Sequence, residues 1–515
     1  MSLSIFDIVI FILFISGVVG LSTWQGRKAM KNHSGEDYFL AGRGLGWGLI
    51  GISLIGANIS TEQFVGMSGS AAGNVGLAVA SYEWISCITL VIVALFFLPR
   101  FIRSGIFTIP EYMEYRYNST ARGIVAFYSM TALVAVSNSA VIYSGALFLE
   151  RMMGIEMIWS VVIIGILAAL YATYGGLASV VWADLVQGSA LIIGGLIVTF
   201  IGIHLIGGFD NFYIKGAAKM HMILPASHKV LPWTALVFGL WIPAFYYWGL
   251  NQYIIQRTLG ARTLKEGQRG ILFAAALKLL TPLVVVIPGI IAFELYKDQI
   301  AINQDLAYPT LIREIVPIGL KGFIFAAVAG TVVSALAAML NSSATIFTLD
   351  LYRRHWNPSV SDRKLVRVGR VMTVFFVVLA CIIAPQLANP SFGGVFTFIQ
   401  EFQGYISPGI LCAFVFGLIV KRTPAMAGVI GLLANVPIYG VLHAFASAQI
   451  SFLNRMAITF GCIVLIMAVI TFIIPLKEPK PLPVKNDITI KPEKSILIAG
   501  LLLILTTITL YYIFR

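Results

Sequence analysis

Charged side chains are scarce in this chain. Asp, Glu, Lys and Arg make up 11% of its 515 residues, where a water-soluble globular chain carries about 25%. A surface that poor in charge excludes an ordinary soluble domain and a disordered acidic or basic tail. Cysteine is nearly absent: Cys87, Cys381, Cys412 and Cys462 each sit in an apolar stretch without metal-like spacing. They are read as small core residues, and no disulfide framework follows from them. The six histidines are scattered without a zinc pattern. There is no phosphate-binding P-loop, and no nucleophile–base pair stands out, so neither ATP-driven work nor an enzyme is expected. The first apolar run lacks a basic leader and a small-residue cleavage site, so it is read as a retained helix.

What is abundant is hydrocarbon. Hydrophobic residues are 59% of the chain, in repeated runs of about 20 residues, the length that crosses a bilayer core of roughly 30 Å. The runs imply an all-α polytopic membrane protein with fourteen transmembrane helices, including spans at 48–70 and 232–256. A segment at 310–349 is too long for one simple crossing. The net charge of +13 gathers in alternate loops, as Arg27, Lys28, Lys31 and Arg43 do in the first. That asymmetry is the positive-inside pattern, with both termini extracytoplasmic in a cell membrane, and not a nucleic-acid footprint. The partners it implies are the bilayer and a small solute; no obligate protein partner is evident.

Polar side chains inside a membrane must find partners or cost several kcal/mol each, so where they gather a function is expected. They gather in five places. "SLIGANISTEQFVGMSGS" (53–70) carries Asn58, Ser60, Thr61, Glu62 and Gln63 among glycines, so the helix can loosen there; glycine-mediated packing with Ser/Thr bonds is the plainer alternative. "ASYEWIS" (80–86) holds Glu83 one turn inside a span with Ser86 on the same face, or else an aromatic belt with a snorkelling acid. "LWIPAFYYWGLNQYIIQR" (240–257) has Pro243, which is expected to interrupt the helix, then Tyr246, Tyr247, Trp248, Asn251 and Gln252. Aromatic faces beside amides suit a sugar, whose C–H faces stack and whose hydroxyls hydrogen-bond. Lys278 follows, read as the only basic residue inside a span, with Glu83 as the partner expected of it. Thr331, Ser334, Asn341 and Thr345 make one helical face of neutral oxygens, which suits a hard cation or else the close packing of small residues between helices. Gln400, Glu401 and Gln403 sit beside Gly404 and Pro408. Asp184 is read as a helix cap at the cytoplasmic edge.

Interruptions in the second span and again five spans later are the mark of an inverted-repeat transporter with a midplane site. The domain reading is one transmembrane unit, 1–515. It has an extra N-terminal helix (4–24), repeats at 48–206 and 232–419 forming a five-plus-five core with broken helices, and C-terminal helices at 423–515. No Arg is placed inside a span, so an anionic solute lacks its usual bidentate partner, and a neutral hexose or cyclitol is expected. A proton-coupled carrier titrating Asp184 or Glu83, and a sensor that binds sugar without moving it, remain open.

"EDYFLAGRGLGWGLIGISLIGANISTEQFVGMSGS", "SYEWIS", "YGGLASVVWADLVQ", "YYWGLNQYIIQRTL", "MLNSSATIFTLDLY" and "IQEFQGYISPGIL" resemble, in this order, the sodium/solute symporter family, and most of all its sodium/galactose and sodium/glucose branch. The resemblance implies a sodium-coupled importer. It places a neutral sugar on Asn58, Gln63, Glu83, Ser86, Tyr247, Lys278 and Gln400, with Trp248 beside them. Met67, Tyr82 and Phe396 would cap the sugar from outside and Tyr247 from inside. It places sodium on backbone carbonyls of Gly56, Ile59 and Thr331 and on side chains at Ser334 and Ala335. Three positions depart from the branch: Ala244 and Ser137 stand where Asn is expected, Ser137 still being counted among the sugar-binding residues, and Ala335 where a hydroxyl is. Ala337 and Ala338 also lack the hydroxyls of members that bind a second ion, so one sodium per cycle is expected.

Overall fold

The computed structural model describes residues 4–29, 41–174, 177–389, 392–485 and 492–515. Among these residues every regular element longer than a single bridge is helical. Among the described residues ten helices are long and apolar enough to cross a membrane, and an eleventh span is the pair Val395–Gln403 and Ser407–Ile419, bent by 42°. The chain is a multi-pass membrane protein. The second expected span is shorter and broken into Trp47–Asn58, Glu62–Met67 and Ser68–Ala72. The seventh is likewise in pieces, and the long 310–349 stretch divides at Gly319 (φ 87°) into Ala307–Ile315 and Leu320–Thr345.

The break in the second span has a local cause. Ser60 N–H donates to Asn58 O at 3.0 Å instead of reaching back to Gly56, and Gln63 N–H donates to Ser60 O at 3.0 Å instead of Ile59. Ile59 leaves the helical region (φ −80°, ψ 78°). Asn, Ser and Thr compete with the helix ladder for backbone partners, and a run of them beside glycine tips the balance. The chain then continues in a wide turn of i→i+5 type over Glu62–Met67, a geometry concentrated at functional sites.

The seventh span is broken twice. Pro243 marks the first break: Trp233–Phe238 ends at Gly239–Leu240, and the helix restarts as Trp241–Phe245 with Pro243 in its first turn, where its missing N–H costs no ladder bond. A second interruption, not foreseen from the proline, falls at Asn251 (φ −79°, ψ 119°), whose side chain caps the next helix, Gln252–Leu259, by accepting from Tyr253 N–H at 3.2 Å.

Small residues set the helix spacing. A Cβ on Gly51 would lie 2.8 Å from Gly270 O, and one on Gly270 2.7 Å from Ile50, so Trp47–Asn58 and Leu264–Ile302 touch backbone to backbone. Seven residues on from Gly51 is Asn58, and eight on from Gly270 is Lys278. At 1.5 Å rise per residue both lie about 11 Å further along in the same direction, which sets them face to face. The N-terminal helix Ile5–Ala29 is tied in by Asp7, whose Oδ1 accepts from Gly319 N–H (2.7 Å) and Gly322 N–H (2.8 Å) at the start of Leu320–Thr345.

Candidate functional site

Asn58, Gln63, Met67, Tyr82, Glu83, Ser86, Tyr247, Trp248, Phe396 and Gln400 line one cavity, together with Glu62, Pro243, Ala244, Ile399 and Gln403. It holds about 540 Å³ of atom-free space, the solvent at its mouth included. Lys278 stands behind this wall, fully buried. Its ammonium donates to Asn58 Oδ1 and to Glu83 Oε2 and lies 4.9 Å from the centre of the Trp248 ring. Asn58 in turn donates from Nδ2 to the Tyr247 hydroxyl at 3.2 Å. The broken second span, the helix Ser81–Ile92, the seventh span and Leu264–Ile302 are therefore joined through one polar cluster.

The walls carry groups of two kinds. Lys278, Glu83 and Asn58 satisfy one another, as a buried ion pair must if it is not to cost several kcal/mol per charge. Glu62 Oε2, Gln63 Oε1 and Gln403 Oε1 have no hydrogen-bond partner. These unmet acceptors match the hydroxyl donors of a polyol. On one side Tyr82 and Phe396 meet edge to face, ring centres 5.0 Å apart, and Gly66 packs tightly on Val395 and Phe396. On the other, Tyr247 and Trp248 meet edge to face at 5.1 Å.

Ser137 is half-buried on the wide-turn segment Ala132–Asn138 and is not among the residues lining this cavity. Glu401 turns away from it to the Arg455 guanidinium and to His443 (3.1 Å). Ala244 does line the cavity.

The same helix break prepares a second set of oxygens. With Ser60 and Gln63 N–H redirected, the carbonyls of Gly56 and Ile59 lose their helical donors. Leu320–Thr345, by contrast, runs unbroken past Thr331 and Ala335. The Thr331 hydroxyl bonds its own backbone (Val328 O, 2.8 Å), and Ala335 is buried without a polar atom to offer. Ser334 Oγ donates to Asp184 Oδ1 at 2.8 Å, and a Cβ on Gly56 would lie 2.9 Å from Asp184 O. Gly56 and Ser334 thus share Asp184 as a neighbour, and hydroxyl, carbonyl and carboxylate oxygens fit a hard cation.

Asp184 overturns its reading as a helix cap. Leu177–Ile206 begins seven residues before it, and its side chain is 1% exposed. Its Oδ2 accepts from Ser53 Oγ (2.7 Å) and pairs with Arg257 Nη2 (3.0 Å), while Arg257 Nε donates to Ser53 Oγ (2.8 Å). Two further expectations fall with it. Lys278 is not the only buried base, and arginine does enter the spans: Arg257 and Arg455 are buried on Gln252–Leu259 and Phe452–Ile473. Both are committed, Arg257 to Asp184, Ser53 and Tyr253 O, Arg455 to Glu401, with His443 at 3.1 Å. One signal for Asp184 was present in the sequence, an acid flanked by "LASVVWA" and "LVQGSALIIGG". A helix start placed seven residues late concealed it.

The sequence matches the profile described as Sodium:solute symporter family over residues 38–434. It is 41% identical to the sodium/glucose cotransporter of Vibrio parahaemolyticus, over 99% of this chain and 98% of that protein. It is 31% identical to the sodium/myo-inositol cotransporter 2 of Mus musculus, over 84% of this chain and 68% of that protein. Its fold is similar to a solved structure described as the substrate-bound outward-open state of a Na+-coupled sialic acid symporter. The TM-score is 0.81 at 20% identity, covering 93% of this chain and all of the other. A helix break that frees two carbonyls, beside a cluster built on a buried ion pair, stands in a chain that belongs to the sodium:solute symporter family.

Proposed function

We propose that this protein is a sodium-coupled symporter that imports a neutral sugar of galactose or glucose type by alternating access. It is a transporter rather than an enzyme, and sodium is the co-transported ion. The observation that carries the sugar reading is the break at Asn58–Thr61. It presents Asn58, Glu62 and Gln63 to the cavity and releases the Gly56 and Ile59 carbonyls, with Gly56 packed on Asp184, which Ser334 also touches. Ion and solute then order the same piece of chain, so each favours the conformation that binds the other.

In this reading the sugar is held by Asn58, Gln63, Glu83, Ser86, Tyr247, Lys278 and Gln400, with Trp248 as a stacking face. Met67, Tyr82 and Phe396 close it from outside and Tyr247 from inside. Ser137, expected with this set, stands outside the cavity lining. Sodium sits against the carbonyls of Gly56, Ile59 and Thr331 and the Ser334 hydroxyl, with Ala335 as a lining position only. One sodium crosses per cycle. The architecture is fourteen helices in a cell membrane, both termini outside, with inverted repeats at 48–206 and 232–419, a preceding helix at 4–24 and C-terminal helices at 423–515. The second, fifth and seventh spans are the three too short or too broken to cross as simple helices. A drop of ~100 mV contributes about 2.3 kcal/mol per charge, and a tenfold sodium gradient adds about 1.4. One ion therefore sustains an accumulation of several hundredfold, since each 1.4 kcal/mol is roughly tenfold.

A second substrate, a cyclitol such as myo-inositol, is favoured by one observation. Ala244 lines the cavity where the sodium/galactose branch is expected to carry Asn, which removes one hydrogen bond to a hexose. The relative from Mus musculus is named for myo-inositol. Radiolabelled uptake into proteoliposomes, with and without an inward sodium gradient, tests both when competed by hexoses, pentoses and inositols. Sodium-dependent uptake displaced by hexoses supports the main reading, displacement by inositols alone supports the second, and uptake driven by a proton gradient without sodium defeats both.

A further inference from the structure

Asp305 lies outside the sugar cavity, on the tight turn Gln304–Leu306 between the helices Leu264–Ile302 and Ala307–Ile315. It is buried, with 2% of its surface exposed. Its Oδ2 accepts from Val395 N–H at 3.2 Å, the first residue of Val395–Gln403, while Oδ1 has no hydrogen-bond partner. That oxygen faces two glycines: a Cβ on Gly69 would come within 3.0 Å of it, and one on Gly394 within 3.1 Å. The neighbouring Gln304 follows the same pattern, its Nε2 donating to Gly393 O at 3.1 Å and its backbone oxygen 2.8 Å from where a Gly69 Cβ would be. The turn is wedged between Ser68–Ala72, the far piece of the broken second span, and the start of Val395–Gln403.

These two elements carry opposite sides of the closure over the sugar. Met67 immediately precedes Ser68–Ala72, and Phe396, Gln400 and Gln403 lie on Val395–Gln403. Anchoring Val395 fixes where that helix begins, and Phe396 is the very next residue.

We propose that Asp305 is a positioning residue of the outer gate, its carboxylate clamping the start of Val395–Gln403 against the far piece of the second span and so setting how readily the sugar cavity opens outward. This rests on the transport reading above. The carboxylate is suited to the task because a hydrogen bond to an ionised acceptor is roughly twice as strong as a neutral one, and a helix N-terminus favours negative charge.

Burial pushes the Asp305 carboxyl up to about 7, against the Val395 N–H, which favours the anion. The clamp is therefore mostly charged at pH 8 and mostly neutral at pH 6. Tyr143, from Ser139–Met153, and Lys219 line the same outer cavity as Asp305. On Leu264–Ile302 the nearest charged groups are Glu294, Lys297 and Asp298, and the last two are exposed. On Ala307–Ile315, Tyr308 packs on Phe64, while Arg313 and Glu314 pair with each other. Glu62 lies at the sugar cavity and Glu401 is held by Arg455. Ser68–Ala72 has no titratable side chain.

The test uses the full chain in proteoliposomes, with its four cysteines replaced and Met67→Cys as the reporter of outward opening, labelled by a membrane-impermeant maleimide. Asp305→Asn keeps the shape and a neutral acceptor; Asp305→Ala removes both. At pH 8 labelling should be roughly fivefold faster in Asp305→Asn than with Asp305 present, and faster still in Asp305→Ala. Between pH 8 and pH 6 the rate with Asp305 should climb toward the Asp305→Asn rate, which should itself stay flat once corrected for maleimide reactivity. Equal rates in parent and Asp305→Asn at pH 8, or an acid-induced rise that persists in Asp305→Asn, overturns the proposal. Should Asp305→Ala not fold, the isosteric variant and the pH series on the parent still decide it. Absence of sodium-driven sugar uptake in the unsubstituted protein would instead sink the transport reading, leaving the labelling result to stand on its own.

Discussion

The pair Glu83–Lys278 offers a sharp separation of stability from transport. Both side chains are buried, at 3% and 0% exposure, and the ammonium is also bonded to Asn58 and sits over Trp248. Lys278→Met leaves the Glu83 carboxylate buried beside an amide, and Glu83→Gln leaves the ammonium with two neutral partners. Removing one member of a buried pair costs roughly 3–5 kcal/mol, whereas replacing both by neutral groups of similar volume is often close to neutral. The double variant should therefore be more stable than the two single losses predict, by about 2 kcal/mol or more. Sugar binding should not recover with it. Each lost hydrogen bond to a charged group removes about 1.5–3 kcal/mol, or roughly 10- to 150-fold in affinity. Inactivation half-life of the purified protein at a fixed elevated temperature measures the first quantity, because large membrane proteins unfold irreversibly. Competition against a labelled sugar measures the second. If the double variant is as fragile as the sum of the singles, the pair is not an electrostatic unit. If it transports normally, the pair does not hold the sugar.

Asp184→Ala should raise the sodium concentration for half-maximal uptake at least tenfold while the sugar constant at saturating sodium moves far less, because Asp184 touches Ser334 and Gly56 and not the cavity; sodium titrations of uptake read this. Ala244→Asn should restore a wall hydrogen bond of about 0.5–1.5 kcal/mol, improving affinity for hexoses over inositols by several-fold in competition assays. Asp7→Ala removes the acceptor for two N–H groups at the head of Leu320–Thr345 and should cost about 0.5–2 kcal/mol of stability, read as a shortened half-life with the sugar constant unchanged. Outside the spans, burial raises the Glu114 carboxyl, but Arg122 (2.8 Å) and Arg354 outweigh it and hold it below the usual value of 4.5. A depressed carboxyl stabilises above its unfolded pKa and loses that contribution as pH falls through the folded one. Glu114→Gln should therefore be less stable than the parent at pH 7, and the gap should close on titration into the acid range below 4.5.

Composition and apolar run length were enough to determine that this chain lives in a bilayer, because hydrocarbon tolerates so few charges that their scarcity is itself the signal. The polar runs at 53–70 and 240–257 likewise gave the broken spans, since Asn, Ser and Gly contest the helix ladder locally. In the seventh span Pro243 marked the first break, at Gly239–Leu240, but not the second, at Asn251, where a side chain caps the next helix. Glu83 and Lys278 could be paired by elimination, but only the close approach of Gly51 and Gly270 decides that Asn58 completes the cluster. Asp184 and Arg257 were hidden for the opposite reason. Each looked like an edge residue in its own segment, and what makes them central is that four segments distant in sequence pack their small faces together. A sequence states which groups a membrane will not accept alone. Which of them meet is settled by helix packing, because partners for buried charge are found across helices and not along them.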